Sequence, residues 1–410
     1  MNDQKIKTIY LDNNATTAVD PAVVESMMPY FNEYYFNPSS AYQQAKTSKY
    51  AIEKARSFIC KFLKTKSESE IIFTGSATES NNAAFKGVLQ AAPDRKHIIT
   101  TAVEHPSVYE LAKELSRFGY EITFLKVNES GELDIKELIN AIRPDTALVS
   151  IMHANNETGV IFPIDKISRI VKLTDSQIIF HTDATQTVSK MDIDLTESLP
   201  YVDMLSFSGH KIYAPKGIGA LYVRMGTRWR PTMIGGHQEK GRRAGTENVA
   251  YIVGLARACQ IASEEIESSD HHPKIKKLRD DFEDFVKNNI PAIKINGGGA
   301  DRLDSTSNVS FQGVEGESIL YALNEYGICA STGSACSSGS LAPSHVLQAM
   351  SIPFSFAHGS LRVSFGRYNS ESDLDKLKET LPDVIKALRD ISPFWDSKTN
   401  TPTGLLSDHE

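Results

Sequence analysis

Asp183 closes the apolar run Ile178-Ile-Phe-His-Thr-Asp183, and Lys211 ends the turn Ser206-Phe-Ser-Gly-His-Lys211. A lysine amine forms a Schiff base with an aldehyde. A carboxylate at a strand end holds a pyridine nitrogen protonated. Together they point to pyridoxal phosphate, whose ring acts as an electron sink and uses such a lysine and such an acidic partner. Singly, each reads as a solvated surface charge; what sets them apart is the spacing from Asp183 to Ser208, His210 and Lys211 after the next strand. Cys336 narrows the chemistry. It lies in Ser331-Thr-Gly-Ser-Ala-Cys-Ser-Ser-Gly-Ser340, a loop composition that suits a thiolate able both to attack and to deliver.

Other residues fit around the same ring. Gly75-Ser-Ala-Thr-Glu-Ser-Asn-Asn82 stands between a strand and a helix, where free backbone N–H groups and the helix dipole favour a phosphate. An ordinary capped helix start has the same composition; Lys211 and Asp183 downstream favour the phosphate. Gln186 is close enough in sequence to meet the phenolic oxygen. His105 suits stacking on the ring and proton transfer, the alternative being a loop histidine that caps the helix after Pro106. Asn155 could donate to the cofactor's oxygen or to a substrate carboxylate.

Strand and helix patterns alternate from about residue 70 to 225 and place these residues at the ends of strands. Such alternation predicts an α/β fold, a mainly parallel sheet covered by helices on both faces. Ligands of such sheets bind beyond the carboxyl ends of the strands. The domain expectation is a large unit at 16–261 and a smaller α+β unit formed by 1–15 and 262–392, with a tail at 393–410. Ser268-Ser-Asp-His-His-Pro273 reads as a hinge, and Leu361-Arg-Val-Ser-Phe365 alternates as a strand. The last helix starts near Asp373, with Ser370 and Asp373 at capping-box spacing, and Pro382 is expected to bend or break it. The tail after Trp395 reads as mobile or as a partner contact.

Composition excludes several classes. With 23% charged and 40% hydrophobic residues in 410, the chain is globular and long enough for two domains. A net charge of -7 argues against direct nucleic-acid binding. No apolar stretch approaches the about 20 residues that span a bilayer, and Met1-Asn-Asp-Gln-Lys-Ile-Lys7 lacks a signal-peptide core, so the expected location is cytoplasmic, without a membrane. Cys60, Cys259 and Cys329 read as packed side chains, and no metal site is expected.

Several segments resemble one family. They are Tyr10-Leu-Asp-Asn-Asn-Ala-Thr-Thr17, Thr74-Gly-Ser-Ala-Thr-Glu79, Glu104-His105, Asn155-Asn-Glu157, Asp183-Ala-Thr-Gln186, Ser206-Phe-Ser-Gly-His-Lys211, Arg243-Ala-Gly-Thr-Glu247, Gly333-Ser-Ala-Cys336 and Leu361-Arg362. In type and order they resemble the cysteine desulfurases, NifS/IscS-like enzymes of the class V aminotransferase group, and the cysteine motif is similar to the class I form. The resemblance implies a fold type I pyridoxal-phosphate transferase with a seven-stranded-type sheet. It implies that Lys211 is the Schiff-base lysine, Asp183 the pyridinium partner, Gln186 the partner of the ring oxygen and His105 the stacking histidine. It assigns Ala77, Thr78, Ser208 and His210 to the phosphate, Arg362 to the substrate carboxylate and Cys336 to the nucleophile. Thr246 is similar to a threonine that reaches the phosphate of the other subunit, which implies a homodimer. The implied reaction takes sulfur from L-cysteine, leaves L-alanine, and passes the sulfur as a persulfide to an acceptor protein such as an iron–sulfur scaffold. Many relatives carry a histidine after the Asn-Pro-Ser-Ser motif, whereas Tyr42 stands nearby here. The rival readings are a class V aminotransferase, a selenocysteine lyase, or a non-catalytic sulfur-carrier scaffold.

Overall fold

The computed structural model describes residues 7–332 and 343–403. Strand β1 (Ile9–Tyr10) comes first. It is followed by β2 (Ile71–Thr74), β3 (His97–Thr101), β4 (Glu121–Leu125), β5 (Thr146–Ser150), β6 (Ile179–Asp183), β7 (Met204–Ser208) and β8 (Gly219–Val223). The last seven form one sheet in the order β2-β8-β7-β6-β5-β3-β4. Strands β3 to β7 pair in parallel, while β8 runs antiparallel to both its neighbours. The apolar runs lack polar alternation because both faces are covered. Ile98 and Leu148 enter the apolar cluster on one face, and Ile99 and Val149 enter the cluster on the other.

Four further strands follow: β9 (Ile293–Ile295), β10 (Thr306–Phe311), β11 (Ile328–Cys329) and β12 (Ser360–Ser364). β12, β10 and β9 form an antiparallel sheet, and β1 pairs in parallel with β11, Ile9 opposite Ile328. Ile9, Leu11, Phe282, Leu361 and Leu377 share a third apolar cluster. The N-terminal segment from Ile9 thus packs with the C-terminal third of the chain.

The alternation in β12 does not mean a solvent-facing side, since all five of its residues are buried. Leu361 and Val363 enter the third cluster. On the intervening positions, Arg362 bonds Asp12 and Asn156, and Ser364 bonds Asn14. The reading of residues 268–273 as a hinge covers too much: a helix runs Val249–Glu267 and the next starts at His271, leaving a turn of three residues between them. The boundary drawn at residue 261 falls inside the first of these helices.

Pro382 does not break the last helix, which runs Glu371–Asp390. Leu377, Leu381, Val384 and Ile385 bury one face on both sides of the proline. At its start Ser370 N–H donates to Asp373 Oδ2 at 3.0 Å, as the capping-box spacing implies. The described part of the tail is folded back on the protein. Trp395 is 5% exposed and lies on a hairpin of β13 (Trp395–Asp396) and β14 (Thr401–Pro402). The Arg389 guanidinium sits 3.8 Å from its ring centroid, and a Cβ on Gly313 would come within 2.9 Å of the ring. Cys60 and Cys259 are buried, but Cys329 is only half-buried on the short β11.

Trp395→Ala should therefore destabilise the protein by about 3 kcal/mol, the usual cost of emptying a buried aromatic site. A urea midpoint lowered at constant slope is the expected result.

Candidate active site

The helix Ala77–Ala91 begins with a reciprocal cap. Ser76 Oγ accepts the Glu79 N–H at 3.1 Å, and Glu79 Oε2 accepts the Gly75 N–H at 2.7 Å. The amides of Ala77 and Thr78, in the first turn, have no intrahelical acceptor. Gly219 on β8 makes the approach possible: a Cβ there would stand 2.7 Å from Phe207 O and 2.8 Å from the Ser76 carbonyl carbon. Neither is a group that can swing aside.

Asp183, at the end of β6, is 6% exposed. Its Oδ2 accepts Asn81 Nδ2 at 2.8 Å and its Oδ1 accepts the Thr185 N–H at 2.9 Å. Asn81 also donates to Ser107 Oγ at 2.9 Å. His105 caps the helix Pro106–Arg117, its Nδ1 accepting the Ser107 N–H at 3.1 Å. The capping role and the cavity position are therefore not alternatives. With Nδ1 accepting, the neutral ring carries its proton on Nε2. Burial lowers the His105 pKa, with Lys211 adding like-charge repulsion, so the ring is neutral at pH 7. Burial and Lys211 bring His210 down to about 4.

Lys211 lies in the turn that follows β7, and its Nζ donates to the carbonyls of Asn14 and Ala15 at 2.7 and 2.6 Å. Gln186 Nε2 donates to the same Asn14 carbonyl at 3.1 Å. Arg362 is 3% exposed; it pairs with Asp12 at 2.7 Å and donates to Asn156 O at 3.0 Å.

One cavity of about 360 Å³ collects these groups. Its wall holds Ala77, Thr78, His105, Asp183, Gln186, Ser208, His210, Lys211 and Arg362. Among the described residues, three buried polar atoms on that wall have no hydrogen-bond partner: Asn156 Oδ1, Thr185 Oγ1 and Arg362 Nε. Buried polar atoms are rarely left so, and a polar guest is what such a set lacks.

Among the described residues, two candidates stand elsewhere. Asn155 is not on the wall. Its Nδ2 donates to Val103 O at 2.9 Å, and its Oδ1 accepts the N–H groups of Glu157 and Thr158, so its amide is committed to holding its own loop. Neighbouring Asn156 takes the cavity position instead. Thr246 is exposed and lines a separate cavity of about 220 Å³ with Thr74, Gly75 and Arg243. Cys336 lies outside the described residues.

Residue types alone gave no warning of Asn81, Asp12 and Lys190, because a single amide, acid or lysine in a polar segment has no spacing signature. Lys190 Nζ donates to Gln186 Oε1 at 3.0 Å and to Asn14 Oδ1 at 2.9 Å.

The chain matches the family Aminotransferase class-V over residues 9–377. It is 50% identical over 389 residues to a cysteine desulfurase of Nostoc sp., covering 95% of this chain and 96% of that one. It is 46% identical over 387 residues to the cysteine desulfurase NifS of Azotobacter vinelandii, covering 94% and 95% of the two chains. A solved NifS-like protein superposes with a TM-score of 0.87 at 39% identity, covering 93% of this chain and all of the other.

The chain belongs to the cysteine desulfurase family.

It is accordingly a pyridoxal-phosphate enzyme, and the cavity suits that cofactor. The wall offers a lysine, a buried carboxylate at a strand end and a helix N-terminus, with unsatisfied polar atoms between them. The two adjacent asparagines should separate in experiment. Asn155→Ala leaves two loop N–H groups without their acceptor and should cost about 2 kcal/mol of stability. Asn156→Ala should leave the melting temperature near wild type and raise KM.

Proposed function

We propose that the enzyme removes the sulfur of L-cysteine, releases L-alanine and carries the sulfur as a persulfide on Cys336. What carries this reading is the single cavity that brings Lys211, Asp183, His105 and Arg362 around one space lined by unpartnered polar atoms. Bound there, the cofactor supplies an electron sink for negative charge that develops on the substrate's carbon skeleton.

The residues divide the remaining work. Lys211 would hold the cofactor's aldehyde carbon and, when released, move the substrate's Cα proton. Asp183, kept in orientation by Asn81, would pair with the pyridinium nitrogen. Gln186 would face the ring oxygen, and His105 would stack on the ring with its Nε2–H available. The Ala77 and Thr78 amides, Ser208 and His210 would take the phosphate. Arg362 would bind the substrate carboxylate. It remains paired to Asp12 while its Nε–H is unused, and a guanidinium fork can serve both groups.

In the sulfur step the Cys336 thiolate attacks the substrate sulfur. The S–S bond forms, the Cβ–S bond breaks, and its electron pair stays on Cβ, which takes a proton to become the methyl group of alanine. L-Cysteine and a thiol thus become L-alanine and a persulfide, and no outside oxidant is consumed. A thiol of an acceptor protein, such as an iron–sulfur scaffold, then takes the terminal sulfur.

Thr246 is exposed and set apart from the cavity of its own chain, which supports the view that it serves the partner site of a homodimer. We place the small domain at 1–15 together with the chain beyond the turn at residues 268–270. The protein is assigned to the cytoplasm; among the described residues no helix is long and apolar enough to cross a membrane.

Cys336→Ala should keep the visible absorbance of the bound cofactor and yield neither sulfide nor alanine from L-cysteine, with no keto acid supplied. Full sulfide release by that variant would overturn the role given to Cys336. Arg362→Ala should raise KM for L-cysteine at least tenfold, consistent with the loss of a charge-assisted bond of about 1.5–3 kcal/mol.

A further inference from the structure

Lys190 is partly buried behind the cavity wall, four residues beyond Gln186. Its ammonium has two acceptors, Gln186 Oε1 at 3.0 Å and Asn14 Oδ1 at 2.9 Å. Both acceptors are fixed from elsewhere. Asn14 Nδ2 is bound to Thr306 Oγ1 at 2.9 Å and to Asn156 O at 3.2 Å, which turns Asn14 Oδ1 toward Lys190. Gln186 Nε2 spends one proton on the Asn14 carbonyl at 3.1 Å.

Amide side chains can in principle flip, exchanging oxygen and nitrogen. A flipped Gln186 would set its NH2 group against the Lys190 ammonium and its oxygen against the Asn14 carbonyl. Donor would face donor and acceptor would face acceptor, and in a buried site both contacts are costly. The observed orientation leaves one Nε2 proton uncommitted on a residue that lines the cavity.

We infer that Lys190 is a positioning residue: it locks the Gln186 amide so that an N–H, and not a carbonyl oxygen, is presented to the cofactor's phenolic oxygen. This rests on the reading above that Gln186 faces that oxygen. The lock is the pair of amide oxygens, which hold the ammonium against surroundings that disfavour it. Burial pushes its pKa down to about 7, and the cations of Lys211 and Arg362 push in the same direction. On its other side Lys190 lines a small cavity with Lys211, Glu265, His271, His272, Asp304 and Arg367. Neither Glu265 nor His271 is hydrogen-bonded to it; Glu265 is paired with Arg367 at 2.8 Å. The two amide oxygens are the acceptors that fix its ammonium.

An N–H donor at the phenolic oxygen favours the oxyanion and lowers its basicity. Removing the lock should therefore raise the pH midpoint of the bound cofactor's visible absorbance change. The experiment compares holoenzymes of wild type, Lys190→Met, Lys190→Arg, Gln186→Ala and the Gln186→Ala/Lys190→Met double variant. Cofactor content and melting temperature are recorded alongside. Lys190→Met should raise the midpoint by about one unit, the size of one hydrogen bond. Lys190→Arg, which keeps donors for Oε1, should stay near wild type. In the Gln186→Ala background Lys190→Met should add nothing, because the group it orients is gone.

An unchanged midpoint in Lys190→Met overturns the inference. So does an equal shift in both backgrounds, which would mean that the charge at position 190 acts by itself. A purely structural lysine would lower the melting temperature and leave the midpoint alone, which also overturns it. Should Lys190→Met not fold, Lys190→Gln in the same two backgrounds completes the cycle. Failure of the parent reading looks different: Gln186→Ala by itself would then leave the midpoint at the wild-type value.

Discussion

The carbonyl oxygens of Asn14 and Ala15 receive the ammonium of Lys211, and most of the site is built outward from that contact. Three cations converge here, Lys190, Lys211 and Arg362, in surroundings where a bare charge would be expensive. The segment Asp12–Ala15 supplies an acceptor for each: a carboxylate for Arg362, a side-chain oxygen for Lys190 and two backbone oxygens for Lys211. The same short stretch is held by Ser364 and Thr306 of the smaller sheet. Cations of the larger sheet and an arginine of the smaller one thus share a single strip of backbone.

A second link lies just behind it. Arg367 bonds Asp20 and Glu265 at 2.7 and 2.8 Å, and its guanidinium lies 3.9 Å from the ring centroid of Tyr213. The Tyr213 hydroxyl accepts the Arg367 N–H at 2.8 Å. Tyr213 is two residues past Lys211 and has φ of +64°, a left-handed conformation uncommon for an aromatic residue. The turn bearing the lysine is therefore held from both ends, by backbone oxygens in front and by an aromatic–guanidinium stack behind.

Much of this was legible in the sequence where a residue sits at the end of an element. Asp183, His105 and Lys211 follow strands of a parallel sheet, and that topology alone aims them at one edge. The phosphate-side helix was legible through the small polar run Gly75–Asn82 between a strand and a helix, while the reciprocal cap of Ser76 and Glu79 is a structural finding. What could not be read was the choice between neighbours. Asn155 and Asn156 are identical in type and one position apart; only the loop's three-dimensional course decides which amide is consumed by backbone and which is left for a ligand. Pro382 misled because local propensity counts the missing hydrogen bond and not the buried leucines on either side. Asp12 was silent for a simpler reason, its partner Arg362 lying 350 positions away, and Lys190, though four residues from Gln186, has its second acceptor 176 positions away at Asn14.

The pairing of β1 with β11 bears on how the molecule is made. Ile9 and Tyr10 leave the ribosome more than 300 residues ahead of their strand partners, Ile328 and Cys329. Until those are translated, the apolar side chains of Ile9 and Leu11 have no nook to enter, and the acceptors for Lys211 have no anchor. The strands of the broad sheet are all made by residue 223, but the pocket at its edge closes only after residue 362 has been made. Contacts of such long sequence separation form slowly. Loading of vitamin B6 is in that sense a finishing step, and a prematurely terminated chain would carry the lysine without the strip of backbone that holds it.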